Sequence, residues 1–227
     1  ESGGPEGDLA LLRAGQLTSD VRASALVFTV QPGGSISGQT LSTQPVVVAQ
    51  DGNGVTDVDF AETVTLTPGG GGSVTGASVA AVSGVATFSD LSYAATVDRE
   101  QTTFVADDEP GGAEGDLPVV TSAPVESDVV ATELVFQVQP GGSVSGQALV
   151  RQPTVAAEDA SGLVDVDFGE TVTLTTDGQG VLVNRTVKAV SGVAAFTQVV
   201  YTAQTSGDPF RLIADDEAVG TDLPSVT

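Results

Sequence analysis

The sequence predicts an all-β protein built from two tandem copies of one antiparallel sandwich, with a stray strand in front. Three observations carry that expectation. The stretch Asp57-Val58-Asp59-Phe60-Ala61-Glu62-Thr63-Val64-Thr65-Leu66-Thr67 returns, with Gly169 in place of Ala61, from Asp165 to Thr175, a shift of 108 positions. The same shift carries Leu26-Val27-Phe28 onto Leu134-Val135-Phe136, and Ala106-Asp107-Asp108-Glu109 onto Ala214-Asp215-Asp216-Glu217. Roughly half the aligned positions agree without a gap, so this is a true tandem repeat. Valine and threonine are abundant, glycine-containing turns recur, and no helical period is sustained.

From the N-terminus, Glu1 to Leu9 match Glu109 to Leu117, so the chain opens on the tail of a preceding repeat. Leu9 to Arg13 is expected to be a strand without its own domain, either a remnant of an upstream repeat or a donor to a neighbouring subunit. With Glu1 first and no methionine, the chain is expected to be processed or cut from a longer array. The expected division is 1–21 for the tail strand and linker, 22–123 for repeat 1 and 124–227 for repeat 2.

Within a repeat the strands show as alternation. Leu26, Phe28 and Val30 share one face and are closed by Gln31-Pro32-Gly33-Gly34. The next strand is Val46 to Asp51, copied as Thr154 to Asp159; Thr154 and Glu158 must look out, so Val47 and Ala49 look in. Glu62 to Thr67 comes next, with Val64 and Leu66 inward. Shorter segments cover Ser73 to Val82 and, past a Ser-Gly turn, Val85 to Leu91. Phe104-Val105-Ala106 and a last strand from Asp116, or Asp222 in the second copy, complete seven. Short strands at this spacing describe a sandwich of the immunoglobulin type. Thr121 to Ala131 reads as a linker, with Ala14 to Ser24 as its counterpart.

Leu134-Val135-Phe136 followed by Gln139-Pro140-Gly141, then Val190-x-Gly192-Val193-Ala194-x-Phe196, resembles the tandem bacterial immunoglobulin-like repeats of large secreted adhesins and surface or filament proteins. The resemblance spans both repeats. It implies an extracellular, cell-surface structural module, of a kind often used as a spacer in a stalk.

Thirty acidic residues against seven basic ones give a formal charge of −23, which argues against nucleic acid and anionic membrane as partners. No apolar run approaches a membrane span. Without histidine or cysteine there is no usual general base, no thiol nucleophile and no common zinc ligand, and an enzyme is not expected. Gly69 to Gly72 precedes a strand and reads as a flexible loop, not a phosphate cradle. Tyr93 and Tyr201, equivalent by the repeat, are expected to pack near a sandwich corner.

The acids themselves have a pattern. Asp51, Glu62 and Asp108, with Asp159, Glu170 and Asp216 in the second copy, fall on inward parity at strand ends. An unpaired carboxylate is costly in an apolar core, so they are expected at the rim of one pole. Asp57, Asp59 and Asp107, with Asp165, Asp167 and Asp215, lie on adjoining loops. Crowded carboxylates suit a hard cation, and calcium takes six to eight oxygens in loose geometry. The spacing from Asp51 resembles an EF-hand, but Thr56 and Val164 replace its glycine and strands flank the loop. A solvated acidic rim suited to a salty habitat is the other reading. Since the linker enters beside this pole, Asp128 is expected to complete a calcium shell between repeats. The function expected is thus a calcium-stiffened structural module, partnered by neighbouring repeats or copies of itself. A module whose pole loops bind a carbohydrate or protein is the alternative.

Overall fold

The computed structural model describes residues 12–108, 110–112, 114–216 and 223–227. These form strands and loops only, with no helix among the described residues. In repeat 1 the strands are β1 (Ala25–Val30), β2 (Ser35–Ile36), β3 (Val46–Gln50), β4 (Thr63–Pro68), β5 (Ser73–Thr75) and β6 (Ser78–Ala80). They continue with β7 (Val85–Thr87), β8 (Ser92–Ala94), β9 (Glu100–Thr102), β10 (Phe104–Asp108), β11 (Val120–Thr121) and β12 (Val125–Asp128). Repeat 2 contributes β13 (Glu133–Val138), β14 (Thr154–Glu158), β15 (Thr171–Thr176) and β16 (Val181–Val183). It ends with β17 (Thr186–Lys188), β18 (Val193–Ala195), β19 (Val200–Thr202) and β20 (Leu212–Asp216).

Two principal sheets of repeat 1, ordered β1-β3-β7 and β11-β10-β4-β6, feed one core. Leu26, Phe28, Val47, Ala49 and Ala86 come from the first, and Val64, Leu66, Phe104 and Ala106 from the second. These are alternate residues, as the pleat requires when one face is buried. Burying a side chain such as Leu66, 1% exposed, contributes about 1.5–3 kcal/mol. Repeat 2 repeats the plan with β13-β14-β18 and β17-β15-β20, whose Leu134, Val155, Val172, Leu174 and Ala214 form a second core. The opening Leu9 to Arg13 lies mostly outside the described residues; Leu12 and Arg13 are exposed and form no strand. Of the last expected strand, Val226 bridges Ala214.

Glycines shape the structure at two places, the acidic loops and the buried tyrosines. Ser83 and Gly84 both take positive φ, 52° and 79°, making the tight turn between Val82 and Val85. A Cβ at Gly84 would run into the Asp57 carbonyl, and the same holds for Gly192 against Asp165. The turn is thereby pressed onto the acidic loop. The tyrosine site corrects an expectation: Gly69 to Gly72 is a packed lid, not a flexible loop. Cβ atoms at Gly70 and Gly72 would collide with the buried Tyr93, whose hydroxyl accepts the Gly72 N–H at 3.0 Å. Repeat 2 keeps glycine at these two places, Gly178 and Gly180, over Tyr201.

The linker is where the chain departs most from its expected character. β12 lies between β2, to which it is parallel, and β9, to which it is antiparallel. Val125 is 4% exposed and belongs to the repeat 1 core, while Ser127 is fully buried beside Ser35. Residues 125–128 are thus a strand of repeat 1, and the chain passes to repeat 2 between Asp128 and Glu133.

Candidate metal centre

The candidate acids occupy three kinds of place. Asp51 closes its own turn. Its Oδ1 accepts the amides of Asn53 and Val55, both at 2.9 Å, and these bonds, the Val55 amide first, hold its carboxyl below the usual range. Asp159 does the same with Ser161 and Leu163. Burial pushes Asp159 up, but the Ser161 hydroxyl and the loop amides outweigh it. Among the described residues, neither belongs to a group of three acids within ligand reach of one another.

Asp57 and Asp165 are loop organisers. Fully buried Asp57 accepts Ala23 N–H on Oδ2 at 2.8 Å, and Asp59 and Phe60 N–H on Oδ1, both at 3.2 Å. Asp165 accepts Ala131 N–H at 2.9 Å and the amides of Asp167 and Phe168. Each ties the segment entering its repeat to the repeat's acidic loop. Asp59 is pushed up by the Asp57 carboxylate beside it, with Asp20 adding to the effect.

At the passage between repeats the acids gather. Asp98, Asp165 and Asp167 place carboxylate oxygens within 4.8 Å of one another. Asp128 is pushed up by burial, then by the charges of Asp167 and Asp98. Asp165 is also pushed up, by burial first and by Asp167 next. Asp98, on the loop between β8 and β9, was not legible as a candidate because Ser206 is its repeat counterpart. Its Oδ1 accepts Val129 N–H at 2.7 Å and its Oδ2 accepts Val166 N–H at 2.8 Å. One carboxylate of repeat 1 therefore holds both the end of the linker and the acidic loop of repeat 2.

The third place is where β4 begins beside the end of β10. Val64 pairs with Asp108, which brings Glu62 beside that carboxyl. Glu62 Oε1 accepts Glu114 N–H at 3.3 Å, and Asp108 Oδ1 accepts Leu117 N–H at 3.1 Å. Among the described residues the other oxygens, Glu62 Oε2 and Asp108 Oδ2, are buried without a hydrogen-bond partner. Burial, with Glu62 alongside, pushes the Asp108 carboxyl up to about 6. Asp107 and Asp116 bring further oxygens within 4.8 Å of those of Asp108. Repeat 2 places Glu170 likewise, with Oε2 buried and without a hydrogen-bond partner among the described residues, and Leu223 N–H donates to Asp216 Oδ1 at 3.2 Å. Asp215 pairs with Thr173 and is exposed.

Both groups could hold a metal ion. Their donors are all carboxylate oxygens, the set that suits calcium and not zinc or copper. The orphaned oxygen of Asp108, a residue 3% exposed, fits a bridging cation or a shared proton, since two carboxylates in contact cannot both stay bare. The structure brings together Glu62 with Asp108, and Asp128 with Asp167. It leaves Asp51 and Asp159 in their own turns.

No protein-family model matches the chain, and no curated protein matches it. Solved structures give loose likenesses. A glycosyl hydrolase family 2 member from Bacteroides cellulosilyticus is 14% identical with a TM-score of 0.35, covering 90% of this chain and 28% of that one. Beta-glucuronidase 3 from Bacteroides uniformis is 9% identical with a TM-score of 0.29, covering 88% of this chain and 24% of that one. A Parabacteroides merdae beta-glucuronidase is 14% identical with a TM-score of 0.27, at the same 88% and 24%. The chain spans about a quarter of the length of these enzymes. Likeness this loose carries no argument about activity. Among the described residues no helix is long and apolar enough to cross a membrane.

Proposed function

We propose that this chain is a structural repeat module of an extracellular stalk, adhesin or filament. In this reading each repeat is an immunoglobulin-like sandwich, and calcium stiffens the acidic passage between them. The observation that carries it is the passage itself. A linker that is a hydrogen-bonded strand of one repeat, ending under a carboxylate that also caps the next repeat's loop, suits a rod better than a flexible tether. Asp98, Asp128, Asp165 and Asp167 would hold the ion. They lie on three segments, the β8–β9 loop, the linker and the repeat 2 loop, so a shared cation would tie all three. It would also cancel part of the like-charge repulsion that adds to burial in pushing Asp128 and Asp165 up. Calcium at one hundred times its dissociation constant stabilises the bound form by about 2.7 kcal/mol per site.

The test is X-ray scattering of the chain with calcium, with chelator, and as the Asp165→Asn, Asp167→Asn double variant. Calcium is expected to narrow the interdomain distance distribution of the native chain and not that of the variant. Identical distributions in all three samples would contradict the calcium junction.

A further inference from the structure

The start of β4 and the end of β10 hold a second group of acids that the passage between repeats does not use. Asp107, Asp108 and Asp116 place carboxylate oxygens within 4.8 Å of one another, and Glu62 lies beside Asp108. Amides of the following loop take one oxygen from each of the two inner carboxylates. Glu114 N–H donates to Glu62 Oε1 at 3.3 Å, and Leu117 N–H donates to Asp108 Oδ1 at 3.1 Å. The second oxygens, Glu62 Oε2 and Asp108 Oδ2, are buried and have no hydrogen-bond partner among the described residues. Asp108 as a whole is 3% exposed, so bulk water does not serve that oxygen either. A buried carboxylate oxygen is costly unless something positive meets it.

We propose that Glu62, Asp107, Asp108 and Asp116 form a second calcium site, internal to repeat 1 and separate from the passage between repeats. Calcium binds oxygen at about 2.3–2.6 Å, so two ligands on opposite sides of one ion stand roughly 4.6–5.2 Å apart. Oxygens within 4.8 Å of one another can therefore all reach a single calcium. The Glu114 and Leu117 amides orient the site: each fixes one oxygen of its carboxylate and leaves the other for the ion. Glycine at position 112 lets the loop come this close, since a Cβ there would run into the Glu62 carboxylate. The ligands come from the approach to β4, the end of β10 and the loop before β11, and one ion would staple all three. Arg22 Nε donates to Glu114 Oε2 at 2.7 Å, which extends the staple to the segment entering the repeat. A chain without cysteine has no disulfide to do this, and a bound metal is the usual substitute in small domains.

This site is independent of the calcium junction, and the test keeps the two apart. Asp165→Asn with Asp167→Asn removes the junction ligands, and calcium is titrated calorimetrically into the chelator-treated full chain in that background. Adding Asp108→Asn should lower the stoichiometry by one calcium per chain. Adding Asp116→Asn instead, at an exposed position, should weaken the same site at least tenfold without lowering the metal-free melting temperature. Hydrogen exchange supplies a second readout: calcium should slow the Glu114 and Leu117 amides at least tenfold in the junction variant. An isotherm that either added variant leaves unchanged, or loop amides indifferent to calcium, would overturn the proposal and leave Glu62 and Asp108 sharing a proton. Scattering of the native chain that ignores calcium, alongside binding at Asp108, would remove the junction site alone.

Discussion

Repeat 1 and repeat 2 share about half their aligned residues and one framework, yet repeat 1 carries Asp98 where repeat 2 carries Ser206. Repeat 1 closes on Val125 and Ser127, which its own linker supplies, and its Asp98 reaches across to repeat 2. Repeat 2 has the same framework, with Ser206 at the position that Asp98 takes in repeat 1. The comparison teaches that the junction is made by a residue the two copies do not share, on a framework that they do share.

The largest expected effect tests the strand that the linker adds to repeat 1. Val125→Asp puts a carboxylate into the repeat 1 core and should destabilise that repeat by on the order of 4 kcal/mol. Leu17→Asp, the aligned change, should leave the monomer within about 0.5 kcal/mol of the native chain, as exposed positions do. Urea unfolding with hydrogen exchange resolved by repeat separates the two. Equal losses would mean that Val125 is not part of the core.

A smaller effect tests the carboxylate that joins the repeats. Asp98→Ala removes the acceptor for two amides, and hydrogen bonds to a charged group contribute about 1.5–3 kcal/mol each. Relief of repulsion from Asp128 and Asp167 offsets part of this, so a net loss of about 1–2 kcal/mol is expected at low salt. Ser206→Asp, at the same place in repeat 2, should change nothing in the monomer. Thermal melts of both variants decide it.

The pH dependence should also differ from that of a common acidic protein. Asp108 has a folded pKa raised to about 6, so its contribution favours the fold below the ordinary carboxylate range and is lost as pH rises through about 6. Asp128 and Asp165 are shifted in the same direction. Metal-free protein should therefore melt at a higher temperature at pH 5 than at pH 7.5, and Asp108→Asn should reduce the difference. Glu100 acts oppositely. The Thr96 amide, aided by Tyr93 and Gly71, lowers it to about 2, so its contribution is lost as pH falls through that value. A melting temperature that rises steadily from pH 5 to 7.5 without metal would contradict the buried-carboxyl account. The smallest effect belongs to Asp51→Asn, which keeps an acceptor for Asn53 and Val55 and should shift neither stability by more than about 0.5 kcal/mol nor calcium response.

Much of the framework was legible because it repeats. Comparing Thr154 and Glu158 with Val46 and Gln50 assigned the inward face, and Val47 and Ala49 are indeed 1% exposed. The acidic loops stood out for the same reason, and Asp165 with Asp167 does form part of a group that could hold a metal. What does not repeat stayed hidden. Asp98 faces Ser206 in the alignment, so nothing marked it. β12 was obscured by Pro124, Glu126 and Asp128, which read as a solvated linker although Val125 and Ser127 alternate inward. Gly70 and Gly72 lay inside a run of four glycines, and only their retention as Gly178 and Gly180 distinguishes them from the run. Parity also could not tell a turn-capping aspartate from one with an orphaned oxygen. Asp51 and Asp108 share inward parity, yet amides occupy the first and burial isolates the second.

The central claim is that the linker is a strand of repeat 1 fastened to repeat 2 through Asp98. Amide hydrogen exchange of the 227-residue chain, resolved to single residues, measures this most directly. The amides of Val129 and Val166 should be protected in the native chain, and both should lose that protection together in Asp98→Ala. Residues 125–128 should exchange with the slow core of repeat 1. Exchange of 125–129 at the rate of the exposed residues 14–20 would contradict the claim and return the linker to a flexible tether.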